Sequence, residues 1–222
     1  MKYGIPTSKD AGIFCFREQP VAKRLVLVRH GDLGEGYRGR YVGRTDLPLA
    51  AEGRRQAAAM AGELGRIEGA HIHCSPLLRA RETAEIALGE GRAFAIDEDL
   101  REIDFGRWEL MNFAQIAAAD PAAVERWAAL EDDFTFPGGE SIGAFRGRVE
   151  AVARRIAADP AEPIVAFTHG GVIRLLICRF LGLEYRRYLL FDVRPGSLSE
   201  IRIEGGKGVL TRLNDRCHLE RV

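Results

Sequence analysis

Leu25-Val26-Leu27-Val28-Arg29-His30-Gly31 is the stretch on which the reading of this chain turns. Four consecutive aliphatics after Lys23-Arg24 read as a short strand buried on both faces, as in a parallel sheet. Such a strand has no structural need for Arg29 and His30 at its end. In open α/β sheets ligands bind outside the carboxyl ends of the strands, and an arginine next to a histidine selects an anion, most simply phosphate. One arginine says little here, because the chain carries 28 of them in 222 residues. A lone histidine after a strand is commonly structural. The arrangement recurs, however, in Ile164-Val165-Ala166-Phe167-Thr168, a second apolar run that leads into His169-Gly170-Gly171. With only five histidines in the chain, two His-Gly strand ends make coincidence the weaker account.

Outward from the first strand, residues 31–49 form a long loop with Gly31, Gly34, Gly36, Gly39 and Gly43. Loops of this length inside compact domains are usually functional. Ala51 to Ile67 reads as one helix, with Ala57, Met60, Ala61 and Leu64 on an apolar face. His71 to Cys74 is a strand entering Ser75-Pro76, with Ser75 placed to start the next helix. Arg79 then falls in that helix's first turn, beside the strand ends. Ala93 to Ile96 reads as a strand, and Ile116 to Leu130 as helix broken by Asp120-Pro121. Ser141 is a plausible N-cap for a helix to Ala158 whose inner stripe is Phe145, Val149, Val152 and Ile156. Val172 to Leu183 is helical, and strands near Ser197 to Ile203 and Val209 to Leu213 flank a hairpin signal, Gly205-Gly206-Lys207-Gly208. Strands alternating with helices give an α/β fold, a three-layer α/β/α sandwich with a mostly parallel central sheet. Residues 24–222 read as a single domain in which 97–140 is a cap insertion over the strand ends. Residues 1–23 form an N-terminal extension with no assignable function.

The formal net charge is zero, so nothing global recruits nucleic acid or an acidic membrane, and any anion site is local. The longest charge-poor stretches are too short to span a bilayer. Cys15, Cys74, Cys178 and Cys217 show no ligand spacing. His71 and His73 share a strand face, but no carboxylate or cysteine stands at ligand spacing beside them, so no metal is expected. Without a signal-peptide core, a cytoplasmic location is the expectation. The expected partner is a small phosphorylated substrate, with neither nucleic acid nor membrane, and a homo-oligomer is left open.

Six blocks in order carry a family resemblance: Arg29-His30-Gly31; Gly39 to Leu49; Ser75-Pro76-Leu77-Leu78-Arg79-Ala80-Arg81-Glu82-Thr83-Ala84; Leu100 to Glu109; Phe136-Pro137-Gly138-Gly139-Glu140-Ser141; and Thr168-His169-Gly170-Gly171-Val172-Ile173-Arg174. Over residues 24 to 218 the chain resembles the histidine phosphatase superfamily, which includes the cofactor-dependent phosphoglycerate mutases. The resemblance implies a phosphoglycerate mutase-like fold and a metal-independent phosphomonoesterase that works through a phosphohistidine. It assigns the nucleophile to His30, a place beside the phosphate to His169, and the proton donor to Glu102, with Asp104 and then Glu109 as rivals. Arg29 and Arg79 suit the phosphoryl oxygens, because a guanidinium binds two at once. The amides of Gly170 and Gly171, where a helix begins, would add donors. Gly31, Arg38, Arg40 and Gly43 complete the candidate substrate site. No cofactor is implied.

The chain departs from the family's loop pattern at Asp32, Leu33, Gly36 and Val42, and Leu110 stands where a glycine often follows Trp-Glu. Gly36 replaces an asparagine that usually helps to hold phosphate, which makes Arg38 or Arg40 its candidate substitute. A phosphoglycerate mutase is the alternative enzyme. Residues 110–140 carry Arg126 as their only cation against several acids, which predicts a cap unsuited to a small, doubly anionic substrate. Length and loop also look like the α-ribazole phosphatases. A non-catalytic phospholigand-binding module is the alternative of a different class.

Overall fold

The computed structural model describes residues 22–129, 131 and 133–221. Most of the expected N-terminal extension, with Cys15, lies outside the described residues. The strands are β1 (Lys23–Arg29), β2 (His71–Cys74), β3 (Ala95–Ile96), β4 (Ile164–Thr168), β5 (Leu198–Glu204) and β6 (Lys207–Asp215). They form one sheet in the order β3-β2-β4-β1-β5-β6. The first four in that order run parallel, while β5 and β6 are antiparallel to their neighbours. The helices are α1 (Ala51–Ala59), α2 (Ala61–Leu64), α3 (Leu78–Leu88), α4 (Phe113–Ala119), α5 (Pro121–Ala128), α6 (Ile142–Ala158) and α7 (Gly170–Leu181).

The sheet separates two cores, and the alternation of β1 and β4 divides between them. Leu25, Leu27, Ile164 and Ala166 pack with Phe145, Val149 and Val152 of α6 and with Ile173, Leu176 and Ile177 of α7. Val26, Val28, Val165 and Phe167 face Met60, Leu64, Ala80 and Ala84 on the other side. A fully buried aliphatic contributes roughly 1.5–3 kcal/mol, so these two strands anchor the three layers. The register of β1 against β4 sets Arg29 opposite Thr168, and the His30 amide donates to the Thr168 carbonyl at 3.1 Å. Both His-Gly strand ends therefore emerge side by side.

Two elements differ from the sequence reading. The helix expected over 51–67 breaks at Met60 into α1 and α2, where Gly62 and Gly65 weaken its continuation. The strand expected over 93–96 shrinks to Ala95–Ile96. Arg92 donates to the carbonyls of Leu64 and Ile67, which holds the preceding residues against the end of α2 rather than along β2. Within residues 97–140, α4 and α5 pack on an aromatic cluster. Trp108 packs against Trp127, Phe134 and Phe136 with ring centroids 5.5–5.9 Å apart. No helix among the described residues is long and apolar enough to cross a membrane.

Candidate active site

His30 follows β1 and is 5% exposed. Its Nδ1 lies 2.8 Å from the Gly31 carbonyl, which can only accept, so the ring proton sits on Nδ1. Nε2 then carries a free lone pair. Burial, followed by the charges of Arg79 and Arg29, holds the imidazole well below its ordinary pKa. The ring is neutral at neutral pH.

His169 caps α7 and is fully buried, its ring 5.2 Å from that of His30. Its Nδ1 accepts from Arg79 Nε at 3.2 Å, which leaves the proton on Nε2, directed at Ser75 Oγ at 2.8 Å. Burial and Arg79 depress this imidazole too. Ser75 does not cap α3, whose N-cap is Leu77 without a side-chain hydrogen bond; its hydroxyl instead receives the His169 proton.

Arg79, in the first turn of α3, is wholly inaccessible. Nη1 donates to Thr45 O at 2.9 Å and Nη2 to Gly43 O at 2.6 Å. The glycine-rich loop therefore serves as the socket of this guanidinium. Arg29 reaches sideways, its Nη1 donating to the Val193 carbonyl while its buried Nε has no partner among the described residues. Burial lowers its pKa to about 10, against the opposing pull of Glu102. It stays charged.

Glu102 is 8% exposed. Its Oε2 accepts from the Gly171 amide at 2.9 Å and its Oε1 from Ile103 at 3.0 Å. A β-carbon at Gly171 would run into Oε1, so only glycine lets the carboxyl sit here. Its backbone carbonyl is gripped by Arg148 Nη2 at 3.0 Å and Arg44 Nε at 3.1 Å. Arg148 in turn forks onto Glu140 at 2.7 and 2.9 Å. The two rival acids are engaged elsewhere. Asp104 Oδ1 accepts from Gly106 N. Glu109 takes five donors: the amides of Gly43, Arg44, Thr45 and Phe105, and the Thr45 hydroxyl at 2.6 Å.

The other candidates divide. Gly170 sits between Arg29 and Arg174. Gly31 donates its amide to Thr83 Oγ1 at 3.1 Å, and a β-carbon there would lie 2.5 Å from the Gly53 carbonyl, so this glycine seats the loop on α1. Gly43 is buried under Glu109 and holds Arg79. The amide of Gly171 is spent on Glu102 rather than left for a ligand. Arg38 is exposed and lies outside the cavity wall. Arg40 lines the cavity, tethered to Gly36 O at 2.8 Å and Leu110 O at 2.7 Å. His71 and His73 both approach Asp159, at 3.2 and 3.7 Å.

Beyond Arg29 and Glu102 opens a cavity of about 600 Å³. Phe105, Phe113, Val124, Trp127 and Phe136 of the 97–140 segment form much of its wall, with Tyr41, Tyr185 and Tyr188. Four arginines line it (Arg29, Arg40, Arg146 and Arg174), and Glu102 is its only described carboxylate. The acidic cap expected from composition does not face the cavity: among the described residues Asp120, Glu125, Glu131 and Asp133 are not on its wall. A larger groove of about 820 Å³ between α6 and α7 touches none of the histidines. Arg174 is a cavity residue with no role assigned from the sequence. The available signal was its position on an apolar helix, four residues after Gly170, hence on the face turned to the strand ends.

The chain matches known proteins along most of its length. Residues 25–216 match the model of the histidine phosphatase superfamily (branch 1). Phosphoserine phosphatase 1 of Hydrogenobacter thermophilus is 31% identical over 88% of this chain and 94% of its own. The adenosylcobalamin/alpha-ribazole phosphatase of Salmonella typhimurium is 33% identical over 87% and 97%. The crystal structure of the alpha-ribazole phosphatase from Shigella flexneri superposes with a TM-score of 0.80 at 31% identity, covering 87% of this chain and 96% of that one. The chain belongs to the histidine phosphatase superfamily, branch 1.

Proposed function

We propose that this protein hydrolyses small phosphomonoesters through a phosphohistidine on His30. The observation that carries this reading is the neutral His30 ring, with its Nε2 lone pair free between two arginines at touching strand ends. In this reading Nε2 attacks phosphorus in line with the ester oxygen. Arg29 and Arg79 hold the phosphoryl oxygens, and their charge counters the dianion that would otherwise repel a nucleophile. His169, its tautomer set by Arg79 and Ser75, stands across the transferring group. Glu102 gives its proton to the leaving oxygen and then takes one from the water that cleaves the phosphohistidine. Residues 24–222 act as one catalytic unit, with 97–140 covering the leaving-group end, and the buried free thiols Cys74 and Cys178 suit a reducing cytoplasm.

The test is to quench the enzyme during turnover of a labelled ester and recover the protein. An acid-labile, base-stable phosphoenzyme is expected from the wild type, with or without chelator, and none from His30→Ala. Equal labelling of the variant removes His30 from the chemistry. A panel holding α-ribazole 5′-phosphate, phosphoserine and 3-phosphoglycerate ranks the alcohols, and return of the phosphoryl group to an acid instead of water would mark a mutase.

A further inference from the structure

The backbone of His30 is held from the far end of the chain. The pairing of β1 with β5 continues past both strands. The Arg29 amide donates to the Ser197 carbonyl at 3.0 Å, and the Gly196 amide donates to the His30 carbonyl at 2.9 Å. Gly196 has little freedom of its own. Its φ is +73°, a conformation that favours glycine, and a β-carbon there would lie 2.8 Å from Gln56 Oε1. That same oxygen accepts the Asp32 amide at 2.9 Å, so α1 also holds the chain on the other flank of His30.

The carbonyl of Gly196 faces His218. This histidine is 4% exposed and lies in the turn Cys217–Arg221, which follows β6 and rests against α1. Its Nε2 is 3.0 Å from the Gly196 oxygen, which can only accept, so the ring proton sits on Nε2. Nδ1 is buried with no partner among the described residues, and burial holds the imidazole below its ordinary pKa. The ring is a neutral donor aimed at one peptide. The turn that carries it is itself pinned, because Asp215 Oδ1 accepts from the Cys217 amide at 2.8 Å and the Leu219 amide donates to the Arg216 carbonyl at 2.9 Å. The phosphoryl chemistry set out above makes no use of this histidine.

We propose that His218 is a positioning residue for the nucleophile. Through the Gly196 peptide it fixes the His30 carbonyl, and with it the line along which the His30 Nε2 meets phosphorus. The His30 ring is tied to the neighbouring backbone by its bond to the Gly31 carbonyl, so a shift of that backbone carries the ring along. In-line attack is sensitive to such shifts: a misplacement of about 1 Å can cost on the order of 10²-fold in rate. This inference rests on the phosphatase reading above, with His30 as the nucleophile.

The test measures phosphoenzyme formation by rapid quench, per competent site, in three variants. The amide of His218→Gln can place a donor where Nε2 stands, that of His218→Asn only where Nδ1 stands, and His218→Phe keeps a ring without a donor. His218→Asn and His218→Phe should form phosphoenzyme roughly 10- to 100-fold more slowly, by the same factor on alkyl and aryl phosphates. KM and inhibition by inorganic phosphate should change little, and His218→Gln should recover most of the rate. Two donor-deficient variants are used so that a folding failure in one leaves the other to decide. A purely structural role would lower the urea midpoint and the number of competent sites but leave the rate per site at the wild-type value. That outcome, or the same rate per site in all three variants, overturns the inference and leaves the phosphatase reading standing. A loss confined to alkyl esters would point to the proton donor rather than His30 and overturns it too. Absence of phosphoenzyme in the wild type would sink the phosphatase reading and this one together.

Discussion

At the scale of single residues, Glu102 is where geometry and role can be separated. In the proposed mechanism His30 would attack phosphorus whatever the leaving group, so His30→Ala should lose turnover on every ester. Glu102 matters only as far as the leaving oxygen needs a proton. Glu102→Gln should slow phosphoenzyme formation from an alkyl phosphate by roughly 10²- to 10⁴-fold, and from an aryl phosphate with an acidic phenol far less. Equal losses in rapid-quench experiments would take the acid role from Glu102. Asp104 and Glu109 are poor replacements, since their oxygens are committed to loop amides. The residues that break the rules of their elements were legible in the sequence. Arg29, His30 and His169 stood out as polar groups at the ends of apolar strands. The residues that work through others were not: Ser75 and Arg148 sit in contexts where a serine or an arginine is ordinary. Leu110 shows a departure acquiring a physical meaning. Where the family often has glycine, its φ is +64°, a left-handed backbone that costs a side chain about 1–2 kcal/mol. Its carbonyl takes Arg40 and its amide meets Tyr41 O at 2.8 Å, so the bend ties the glycine-rich loop to the residues just before α4.

At the scale of elements, the loop over residues 39–49 is folded around one carboxylate. Glu109 gathers the amides of Gly43, Arg44 and Thr45, and the carbonyls of Gly43 and Thr45 thereby turn toward Arg79. Glu109→Gln would replace an acceptor with an NH₂ facing buried N–H groups. That should cost about 2–4 kcal/mol of stability. Because the Arg79 socket is displaced too, kcat/KM should fall roughly 10²-fold on alkyl and aryl esters alike. A loss confined to alkyl esters would make Glu109 an acid after all. The sequence showed this loop as functional by its length and glycines, but not that its cation ligand lies some 35 residues away. Such pairings need the fold. For the same reason the β1–β4 adjacency had no local signal in the sequence, while the β5–β6 hairpin could be read from local turn residues. The break at Met60 and the short β3 are tertiary outcomes, set by glycine-weakened helix and by Arg92 reaching back.

At the scale of the whole molecule, the site makes the fold acid-sensitive. His30 and His169 are buried and neutral, each held well below its ordinary pKa by desolvation and then by Arg79. Burial lowers His218 as well. In the unfolded chain these imidazoles take protons near pH 6.5, while in the folded chain they refuse them. Below that pH the unfolded state binds more protons, so stability is lost as pH falls, with a slope of about 1.4 kcal/mol per pH unit for each such histidine. The carboxylates with lowered values, Glu52, Asp159 and Asp215, act only below the ordinary carboxylate range, about pH 4. The window from pH 6.5 to 5 therefore isolates the histidines. Urea unfolding across it should show the wild type losing at least 2 kcal/mol per pH unit. His30→Asn and His169→Asn should each flatten that slope by about one proton. Saturating orthovanadate, an anion set between the two rings, should flatten it too by favouring their charged forms. A slope that neither the asparagine variants nor vanadate alters would mean that the acid sensitivity lies outside the site, and that the two rings are not held neutral by their burial.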